Sequence, residues 1–421
     1  MKTWRRTPKW RQNNPTDSDM STTITCKMPH PGQLEVLKSP ARFKVLACGR
    51  RWGKSQLGLI SILKAAHLEH KRCWWVVPKY RTADEEIWGE LVSAVKHLRG
   101  VAISKSKRRI ELPKGGVIAI RSAHNPDNLR GAGLDFVVLD EAARMPAHTW
   151  HDVIRPMLAD TRGGALLLST PNGRNWFWER HRAGLDPLQE EWATFDFTTA
   201  QSYLVDPAEL ESIRQNTAQH IWETEYEAVF SDDRGQVFRG LTDAAAPAPY
   251  DGPQPGHSYV AGVDWGRSRD YTAIAVLDAS NNKMVALERF NQVGWELQRD
   301  RLSSIARKWR PQVIWAEANS IGEPNIDALV RQGLPMRRFY TSAKSKAPLI
   351  ESLALAIEQN DITLLDDPVL LGELADYKFD RLANGGYRYG APSGSHDDTV
   401  IAAALAWHGA QHSSRMRIDF V

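Results

Sequence analysis

The sequence predicts two α/β domains, the first built on a mainly parallel sheet and the second on a mixed sheet. In the first half, short apolar runs alternate with segments of helical periodicity, which favours parallel strands joined by crossover helices. In the second half, three apolar runs follow one another closely at 257–266, 270–279 and 283–291. Because the connections between these runs are only a few residues long, we expect hairpin-linked antiparallel strands.

The composition is that of an ordinary globular protein, with 42% hydrophobic and 25% charged residues in a chain of 421. We expect two or three domains, at roughly 100–200 residues each. The three cysteines form no CxxC pair, which argues against a disulfide framework or a structural zinc site and favours a reducing compartment. No apolar run reaches the roughly 18–20 residues that a membrane helix needs, so we predict a cytosolic protein without a membrane partner. The net charge of +4 permits nucleic-acid binding without indicating it.

Local composition predicts where the domains begin and end. Five basic residues fall among the first eleven, within a polar stretch that lacks apolar periodicity, so we expect a disordered basic tail. A proline-rich segment at 240–257 has almost no large apolar side chains, which is typical of a domain boundary. We therefore predict, in order, a basic tail, a first domain, a lid or linker, a second domain and a C-terminal tail at residues 1–25, 26–195, 196–256, 257–412 and 413–421.

The apolar periodicity locates the individual elements. Strands of the first domain are predicted at 43–47, 73–77, 115–120, 136–140 and 165–170. Its helices are predicted at 54–67, 84–98 and 147–159. After the three hairpin strands, the second domain is predicted to contain a helix at 294–309, a strand at 311–318 and a final apolar helix after 395–398.

A glycine-containing turn joins the first strand to the first helix at Gly53, Lys54 and Ser55. This is the context of a phosphate-binding P-loop, in which backbone N–H groups and the helix N-terminus hold the β- and γ-phosphates. Lys54 is expected to neutralise the phosphates, and the Ser55 hydroxyl to bind Mg²⁺. The sequence departs from the usual pattern because the first glycine is Gly49 and not residue 48, which is Cys48.

A second motif indicates the same chemistry. The apolar strand at 136–139 is followed by Asp140 and Glu141, which supply one carboxylate for the Mg²⁺ shell and another to activate the attacking water. The alternative, a strand that merely ends in exposed acids, is disfavoured by the P-loop upstream. Together the motifs predict an NTPase. The residues expected around ATP and Mg²⁺ are Gln33, Gly49, Arg50, Arg51, Gly53, Lys54, Ser55, Gln56, Asp140 and Thr170.

Other side chains near these motifs have two interpretations. Gln33 is suited to reading the adenine edge, or is a solvated surface residue. Arg50 lies inside the loop, where a guanidinium can stabilise charge on the γ-phosphate. Arg130 is a second finger candidate, acting on a neighbouring subunit, or a surface arginine in a glycine-rich loop. The turn at Ser169 and Thr170 is a sensor of hydrolysis or a plain exit from its strand.

Acidic residues in the second half form another group. Asp264 ends the first hairpin strand, Glu317 ends a later strand, and Asp397 with Asp398 opens the final helix. A three-stranded antiparallel unit followed by a helix and a strand, with acids at these places, is the arrangement of ribonuclease H-like nucleases. Clustered carboxylates of this kind hold two Mg²⁺ or Mn²⁺ ions, one activating water and the other stabilising the leaving oxygen of a phosphodiester.

Each acid alone also has a structural explanation. Asp264 flanks a turn, Glu317 could satisfy a helix start and Asp397 could cap a helix. On a helix, Asp397 and Asp398 point about 100° apart, and apolar residues share the face of Asp398. Both can bind metal, with Asp398 the preferred ligand, whereas Asp270 is an accessory candidate only.

Two groups of basic residues near aromatic side chains are candidate contacts to a DNA backbone. Solvated surfaces are the alternative interpretation of both groups. They are Arg99, Lys105, Lys107, Arg108 and Arg109 in the first domain, and Arg337, Arg338, Lys344 and Lys346, near Tyr340, in the second.

Taken in order, the motifs GRRWGKS, FVVLDE, LSTPNG, VDWG, WAEA and SHDDTVIAAALA resemble the large terminase subunit of tailed bacteriophages, over residues 30–408. The resemblance implies a RecA/ASCE-like P-loop ATPase domain followed by a ribonuclease H-like nuclease domain. It departs at Cys48, where glycine is usual, and at Glu317, where aspartate is usual. By resemblance Gln33 reads adenine and Ser169 with Thr170 couples hydrolysis to movement. The implied catalytic residues are Arg50, Arg130, Glu141, Asp264, Glu317 and Asp398, with Asp397 as a further metal ligand.

The resemblance also implies a function and partners. The chain would move viral double-stranded DNA into a procapsid and cut concatemers at the start and end of packaging, in the cytoplasm of the infected bacterium. Its partners would be the portal protein, a small terminase subunit and further copies in a pentamer, with a monomer in solution as the open alternative. Two other functions compete: a host repair helicase-nuclease, disfavoured because no second RecA-like domain is recognisable before the linker, and an ATP-dependent DNA-binding scaffold without a packaging role.

Overall fold

The computed structural model describes residues 23–79, 86–131, 133–230, 234–266, 270–319, 322–382 and 386–413. The two predicted tails fall largely outside these residues. The chain divides into two compact units, which we call unit 1 (residues 1–171 and 175–205) and unit 2 (residues 172–174 and 206–421). Within the described ranges, no helix combines the length and the apolar character that crossing a membrane would require.

Unit 1 is built on an eight-stranded sheet. Its strands are β1 Phe43–Cys48, β2 Arg72–Val77, β3 Ala102–Ser104, β4 Arg109–Glu111, β5 Val117–Ser122, β6 Phe136–Asp140, β7 Gly164–Ser169 and β8 Trp192–Phe197. The strand order is β3-β4-β5-β2-β6-β7-β1-β8. From β5 to β8 all neighbours pair in parallel, while β3 and β4 add antiparallel strands at one edge. The predicted, mainly parallel sheet is confirmed.

The helices of unit 1 connect these strands and cover the sheet. They are α1 Pro31–Lys38, α2 Lys54–Leu68, α3 Glu86–Val95 and α4 Trp176–Ala183. The structure differs from the helix predicted at 147–159, because a π-helical segment, Thr149–Ile154, leads into a short turn, Arg155–Met157. Pro156 has no N–H to donate to a carbonyl one turn earlier, which weakens regular α-helical pairing there.

The three cysteines of the chain are free thiols in different surroundings. Cys48 and Cys73 are buried in the unit 1 sheet, on β1 and β2, with β6 and β7 between these strands, whereas Cys26 is exposed ahead of α1. Burial raises the pKa of the Cys48 thiol to about 12, and burial also raises the pKa of Cys73 and Cys26.

Unit 2 contains a mixed five-stranded sheet and two smaller ones. The strands of unit 2 are β9 Arg234–Gln236, β10 Ala245–Ala246, β11 Tyr259–Asp264, β12 Thr272–Asp278, β13 Lys283–Phe290, β14 Val313–Glu317, β15 Met336–Phe339, β16 Leu364–Leu365, β17 Lys378–Arg381 and β18 Tyr387–Gly390. Its helices are α5 Pro207–Gln215, α6 Gln219–Glu225, α7 Leu241–Ala244, α8 Trp295–Trp309, α9 Gly322–Arg331, α10 Ala343–Glu358, α11 Pro368–Asp376 and α12 Asp398–Ser413.

The order of the main sheet is β13-β12-β11-β14-β15. The first three strands are antiparallel, and β14 and β15 run parallel to β11. This confirms the predicted mixed sheet and its hairpin-linked start. Strand β11 is buried along its whole length, so the central strand that ends in Asp264 is held by neighbours on both sides and by α12 above it.

The close approach of α12 to β11 depends on Gly262. A Cβ at this position would lie closer than 3.0 Å to the carbonyl oxygen of Ala402 and to the backbone nitrogen of Ala406. Neither backbone atom can move without displacing the helix. Glycine at 262 therefore sets how near α12, and the acids at its first turn, can come to β11.

We expect Gly262→Ala to lower the free energy of unfolding by roughly 1–3 kcal/mol, because the added methyl group overpacks the contact with α12. Gly372→Ala on α11 is the matched control, since its Cβ would meet no atom within 4 Å. That substitution should stabilise the helix by about 0.5–1 kcal/mol. Chemical denaturation of both variants tests the contact, and equal effects of the two substitutions would contradict it.

The proline-rich segment at 240–257 lies inside unit 2. Its residues in β10 pair in parallel with β16, and Tyr250 and His257 both bind the buried carboxylate of Asp278, His257 at 2.5 Å. The segment is thus anchored to the end of β12. The predicted domain limits at 26–195, 196–256 and 257–412 stay predictions.

A buried histidine attaches α6 to the rest of unit 2. His220 lies 3.0 Å from the Tyr389 hydroxyl through Nε2, and its ring stacks on Phe379 at 4.9 Å. Burial, and then the charge of Arg239, lowers the pKa of His220 to about 4. Because the unfolded-state pKa is about 6.5, protonation as the pH falls favours the unfolded chain.

We therefore expect the thermal stability of the protein to fall between pH 6.5 and pH 4, with His220 contributing at most about 3 kcal/mol. His220→Phe keeps a ring on Phe379 but cannot titrate, so the dependence on pH should become shallower. His408, whose pKa burial also lowers to about 4, would supply part of the remaining slope. A melting series from pH 7 to pH 4.5 measures this, and identical slopes for the variant and the wild type would refute the role of His220.

Candidate active sites

The turn between β1 and α2 passes through a left-handed glycine directly before the helix. Gly53 precedes the first helical residue with φ 101° and ψ 26°, a left-handed conformation that glycine adopts without strain. Its carbonyl accepts a 2.9 Å hydrogen bond from the Gln33 side-chain amide, and a Cβ on Gly53 would lie 2.8 Å from that amide nitrogen. Only glycine fits at the point where the loop becomes a helix.

Contacts to β8 and the residues after it hold the loop from outside. The Gly49 N–H donates to the carbonyl of Phe197 at 3.0 Å, and the Thr199 hydroxyl donates to the carbonyl of Arg50 at 2.8 Å. The Trp52 ring is fully buried and stacks on Phe197 at 4.7 Å. The loop backbone is therefore fixed at its start and in its middle, which leaves the N–H groups at the start of α2 preorganised to bind an anion.

The polar side chains of this turn differ in burial and in their partners. Lys54 is almost fully buried, and its ammonium donates to the carbonyl oxygens of Cys48 at 3.4 Å and Gly49 at 3.2 Å. Ser55 is exposed and Gln56 half-buried in the first turn of α2. Lys54 thus connects the helix start to the beginning of the loop, while Ser55 is exposed to solvent.

The ends of β6 and β7 lie beside the end of β1. In the register, Ala47 is paired with Ser169, and Asp140 is paired with Leu168. Ser169 and Thr170 are both buried. Parallel strands bring their carboxyl ends to one edge, so the loop, the acidic motif and the polar turn meet there, as the crevice of an open α/β sheet does.

The two acids after β6 differ in their surroundings. Asp140 is only 9% exposed, and burial, followed by the charge of Glu141, raises its pKa to about 7, while the charge of Lys54 acts in the opposite direction. The backbone of Glu141 is left-handed, with φ 54° and ψ 44°. This conformation is unusual for a residue other than glycine and persists only where the surrounding structure imposes it. Its carboxylate pairs with Arg144 at 3.4 Å.

The other residues predicted for this site differ in their relation to the loop. Gln33 is buried on α1, where its side-chain oxygen accepts from the His30 N–H at 3.1 Å and its nitrogen donates to the loop. Arg50 and Arg51 are exposed in the loop. Arg130 is exposed and paired with Asp127 at 2.9 Å in the turn before β6, so no described contact links it to the loop.

Sequence reasoning missed Arg144 and the role of Gln33 in holding Gly53. Arg144 follows Glu141 by three residues in a short 3₁₀ turn, and this spacing was the available signal. The bond between Gln33 and Gly53 spans twenty residues and left no local signal, because it depends on how α1 packs.

The acids of unit 2 converge at the ends of β11 and β14. The register pairs Val263 with Ala316, which places the next residues, Asp264 and Glu317, side by side. Burial, a hydrogen bond to Glu317, and the charges of Glu317, Asp398 and Asp397 raise the pKa of Asp264 well above its usual range. The carboxyl groups of Asp264 and Glu317 are therefore in hydrogen-bond contact at the ends of two paired strands.

The two acids at the start of α12 have different partners, as their predicted angular separation requires. Asp398 is 7% exposed, and burial, followed by the charge of Glu373, raises its pKa to about 6. Asp397 is half-buried and pairs with Lys346 at 3.0 Å. Both acids act electrostatically on Asp264. Asp270 is exposed.

The donor set suits a divalent cation, although the described side chains do not form a ready cage. No three acidic, histidine or cysteine side chains in the described ranges come together closely enough to hold one ion. The carboxyl groups of Asp264 and Glu317 are in contact. Asp397 lies near Lys346, and Asp398 lies near Arg289. Carboxylate oxygens are the ligands that Mg²⁺ and Mn²⁺ prefer. The pKa of Asp264 is raised first by burial and then by the neighbouring acids, so a bound cation would favour its ionised form.

The predicted basic groups lie on the surfaces of their units. Lys105, Lys107 and Arg99 are exposed, and the guanidinium of Arg108 lies 5.4 Å from the centroid of the Trp88 ring. In unit 2 the side chains of Arg337, Arg338, Lys344 and Tyr340 are exposed, whereas Lys346 turns toward Asp397. The structure therefore separates Lys346 from the surface group.

Comparison with known proteins matches both units. The family model "Terminase large subunit, T4likevirus-type, N-terminal" matches residues 45–242, and the model "Terminase RNaseH-like domain" matches residues 261–408. The large terminase subunit of Thermus virus P23-45 is 31% identical over 90% of this chain and 87% of its own length. A solved large terminase from a thermophilic bacteriophage is 14% identical, with a TM-score of 0.52 over 90% of this chain and 98% of that chain. The large terminase nuclease of the thermophilic phage G20c, with bound magnesium, is 30% identical over 41% of this chain and 96% of that chain, with a TM-score of 0.38.

Two features of the chain, the P-loop of unit 1 with its neighbouring acids and the cluster of acids in unit 2, define with the fold a protein that joins a P-loop ATPase to a ribonuclease H-like nuclease. Both predicted domain types are thereby confirmed. The sequence relationship to the P23-45 protein is specific enough to go further. This chain belongs to the terminase large subunit family, as its motifs predicted.

Proposed function

We propose that this chain hydrolyses ATP in unit 1 to move double-stranded viral DNA into a procapsid, and cuts concatemeric DNA with the acids of unit 2. The observation that carries the proposal is the presence of both sites in one chain: strand ends that join a P-loop to Asp140 and Glu141, and the contact between Asp264 and Glu317. The family membership favours packaging over a repair helicase-nuclease or a DNA-binding scaffold.

In unit 1, the start of α2 would bind the phosphates of ATP through its backbone N–H groups. Lys54 would exchange its bonds to the Cys48 and Gly49 carbonyls for the β- and γ-phosphates. Ser55 and Asp140 would hold the Mg²⁺ ion that neutralises the phosphates. Glu141 would accept the proton of the attacking water, and Arg50, inside the loop, is the better placed of the two finger candidates.

Thr170 and Gln33 have supporting roles in this proposal. Thr170 is buried at the end of β7, beside β1 and β6. Loss of the γ-phosphate on hydrolysis would therefore alter contacts of Thr170 and, through them, the position of these strands. Gln33 uses one donor and one acceptor within the protein, and its amide has one further donor and one further lone pair for the adenine edge. Arg130 would act on a neighbouring copy in the pentamer.

In unit 2, Asp264, Glu317 and Asp398 would hold divalent metal ions, with Asp397 as a further ligand once it leaves Lys346. Bound Mg²⁺ or Mn²⁺ would activate water and stabilise the leaving oxygen of the phosphodiester. The protein groups fix the geometry, because Asp264 and Glu317 sit on paired strands and Asp398 sits at the start of a helix packed on β11. The exposed basic groups would contact the DNA backbone.

The partners follow from the packaging role. We propose that the chain docks on the portal of the procapsid as a homopentamer, and that a small terminase subunit delivers the DNA. These events would take place in the cytoplasm of the infected bacterium. A monomer in solution is compatible with this assembly, because docking would raise the local concentration of subunits.

Plasmid cleavage and ATP turnover measured in the same tubes test the proposal. We expect cleavage with Mg²⁺ or Mn²⁺, none with EDTA, and turnover that Lys54→Ala abolishes without affecting cleavage. Turnover without cleavage in any metal would remove the nuclease from the proposal. Turnover that survives Lys54→Ala would place ATP hydrolysis elsewhere.

A further inference from the structure

A buried glutamate outside the predicted acid set lies beside Asp398. Glu373, on α11, is 9% exposed, and neither a motif nor its position in the sequence connects it to the acids at 264 and 317. One of its oxygens accepts two hydrogen bonds from Thr399, from the N–H at 2.9 Å and from the hydroxyl at 2.5 Å. Thr399 is the second residue of α12, directly after Asp398.

These bonds fix the start of α12. The first N–H groups of a helix have no partner within it and need acceptors from outside. Here the acceptor comes from another helix, and a carboxylate at a helix N-terminus is also favoured by the helix dipole. Glu373 therefore determines where the first turn of α12 lies, and with it the backbone of Asp398.

The second oxygen of Glu373 binds a cation that also faces Asp398. Arg289, on β13, lies 3.0 Å from Glu373 and 3.8 Å from Asp398. Its guanidinium is stacked over the Tyr271 ring at 3.3 Å, which holds it in this position. Asp398 further accepts a 3.4 Å bond from the Tyr271 N–H and faces His396 at 3.7 Å. Arg289 is thus shared by two carboxylates, with Glu373 as the nearer one.

We propose that Glu373 is a positioning residue for metal binding by Asp398, which it serves by capping α12 and by keeping Arg289 in its own ion pair. With Arg289 engaged, the carboxylate of Asp398 is available to a divalent cation. Without the charge of Glu373, Arg289 has Asp398 as its remaining carboxylate partner and competes with the metal. This inference rests on the proposed nuclease function.

The charge and the cap can be separated by substitution. Glu373→Gln keeps an oxygen that accepts from Thr399 but removes the charge that holds Arg289. We expect it to weaken Mn²⁺ binding roughly 10- to 100-fold, the usual range for loss of a group that orients a metal ligand. Adding Arg289→Met removes the competing cation, so the double variant should recover most of the lost affinity.

The experiment is an electron paramagnetic resonance titration of the full chain with Mn²⁺, without nucleotide. Glu351→Gln on α10 is the matched control, because Glu351 is a half-buried carboxylate bonded to Tyr389 at 2.8 Å, and it should bind Mn²⁺ as the wild type does. Thermal unfolding checks that each variant folds. A purely structural role predicts that the double variant binds no better than Glu373→Gln, and this result, or wild-type binding by Glu373→Gln, would overturn the inference.

A further variant distinguishes failure of the inference from failure of the site. Asp264→Asn should lose Mn²⁺ binding if the acids of unit 2 form the metal site. If Asp264→Asn binds Mn²⁺ as the wild type does, the proposed nuclease site is misplaced. If Asp264→Asn fails to bind while Glu373→Gln is normal, the site stands and only the role of Glu373 is refuted.

Discussion

Replacing Glu141 by glutamine is expected to slow ATP turnover by roughly 10²- to 10⁴-fold, the usual contribution of a positioned general base, while ATP binding is retained. Glutamine has nearly the same size and can keep the left-handed backbone of this position, but it cannot accept the proton of water. Lys54, assigned to the phosphates, and Ser55, assigned to Mg²⁺, lie on a different element. Phosphate release and the binding of a fluorescent ATP analogue measure the two properties separately.

Glu179→Gln is the matched control for this substitution. Glu179 is an exposed acid on α4 of the same unit, 3.9 Å from Arg180, and its loss should leave turnover unchanged. Lys54→Ala should lose both nucleotide binding and turnover, because it removes the ammonium group assigned to the phosphates. Equal loss of nucleotide binding in Glu141→Gln and Lys54→Ala would show that Glu141 supports the fold of the site and not the proton transfer.

The second large effect is expected at Asp264. Asp264→Asn should reduce plasmid cleavage by about 10³-fold or more, because a bound metal stabilises the transition state by several kcal/mol. The same substitution should raise the melting temperature of the protein in EDTA. Burial and the neighbouring acids disfavour the ionised form of Asp264, whereas asparagine has no charge to desolvate. Loss of activity with a gain in stability is characteristic of a residue selected for function.

Asp361→Asn controls for the general effect of removing an acid from unit 2. Asp361 is exposed in the turn before β16, and we expect neither cleavage nor melting temperature to change. Gel electrophoresis of supercoiled plasmid and calorimetry in EDTA provide the two measurements. Residual cleavage by Asp264→Asn near the wild-type rate would exclude a metal site centred on Asp264.

The sequence predicted the parts of the sites that lie next to regular elements. Lys54 follows a strand and opens a helix, and Asp140, Asp264 and Glu317 each end a buried apolar strand. Parallel strands bring such ends to one edge whatever the surrounding sequence is. For this reason both sheets, the strand ends and the pairing of acids from distant elements were predictable without any knowledge of side-chain packing.

The contacts between side chains were not predictable in this way. The pairing of Arg289 with Glu373 joins β13 to α11, two elements far apart in the sequence. The left-handed backbone of Glu141 is imposed by tertiary structure, since propensity alone disfavours it. For Arg130, in contrast, the sequence predicts a role that the contacts within one chain do not test. Its sequence context resembles a finger, but the structure pairs it with Asp127, and its role remains a prediction about an assembly of several copies.

The burial of the thiol at the end of β1 has a chemical consequence for the ATPase. Oxidants and alkylating reagents attack the thiolate, and Cys48, with a pKa of about 12 and no solvent access, is almost entirely a thiol at neutral pH. Burial therefore shields the Cys48 thiol, at the position where a P-loop usually has glycine, from such reagents. Thiol-directed probes should instead attach to Cys26, so the natural sequence offers a single labelling position ahead of α1 for following the motor by fluorescence.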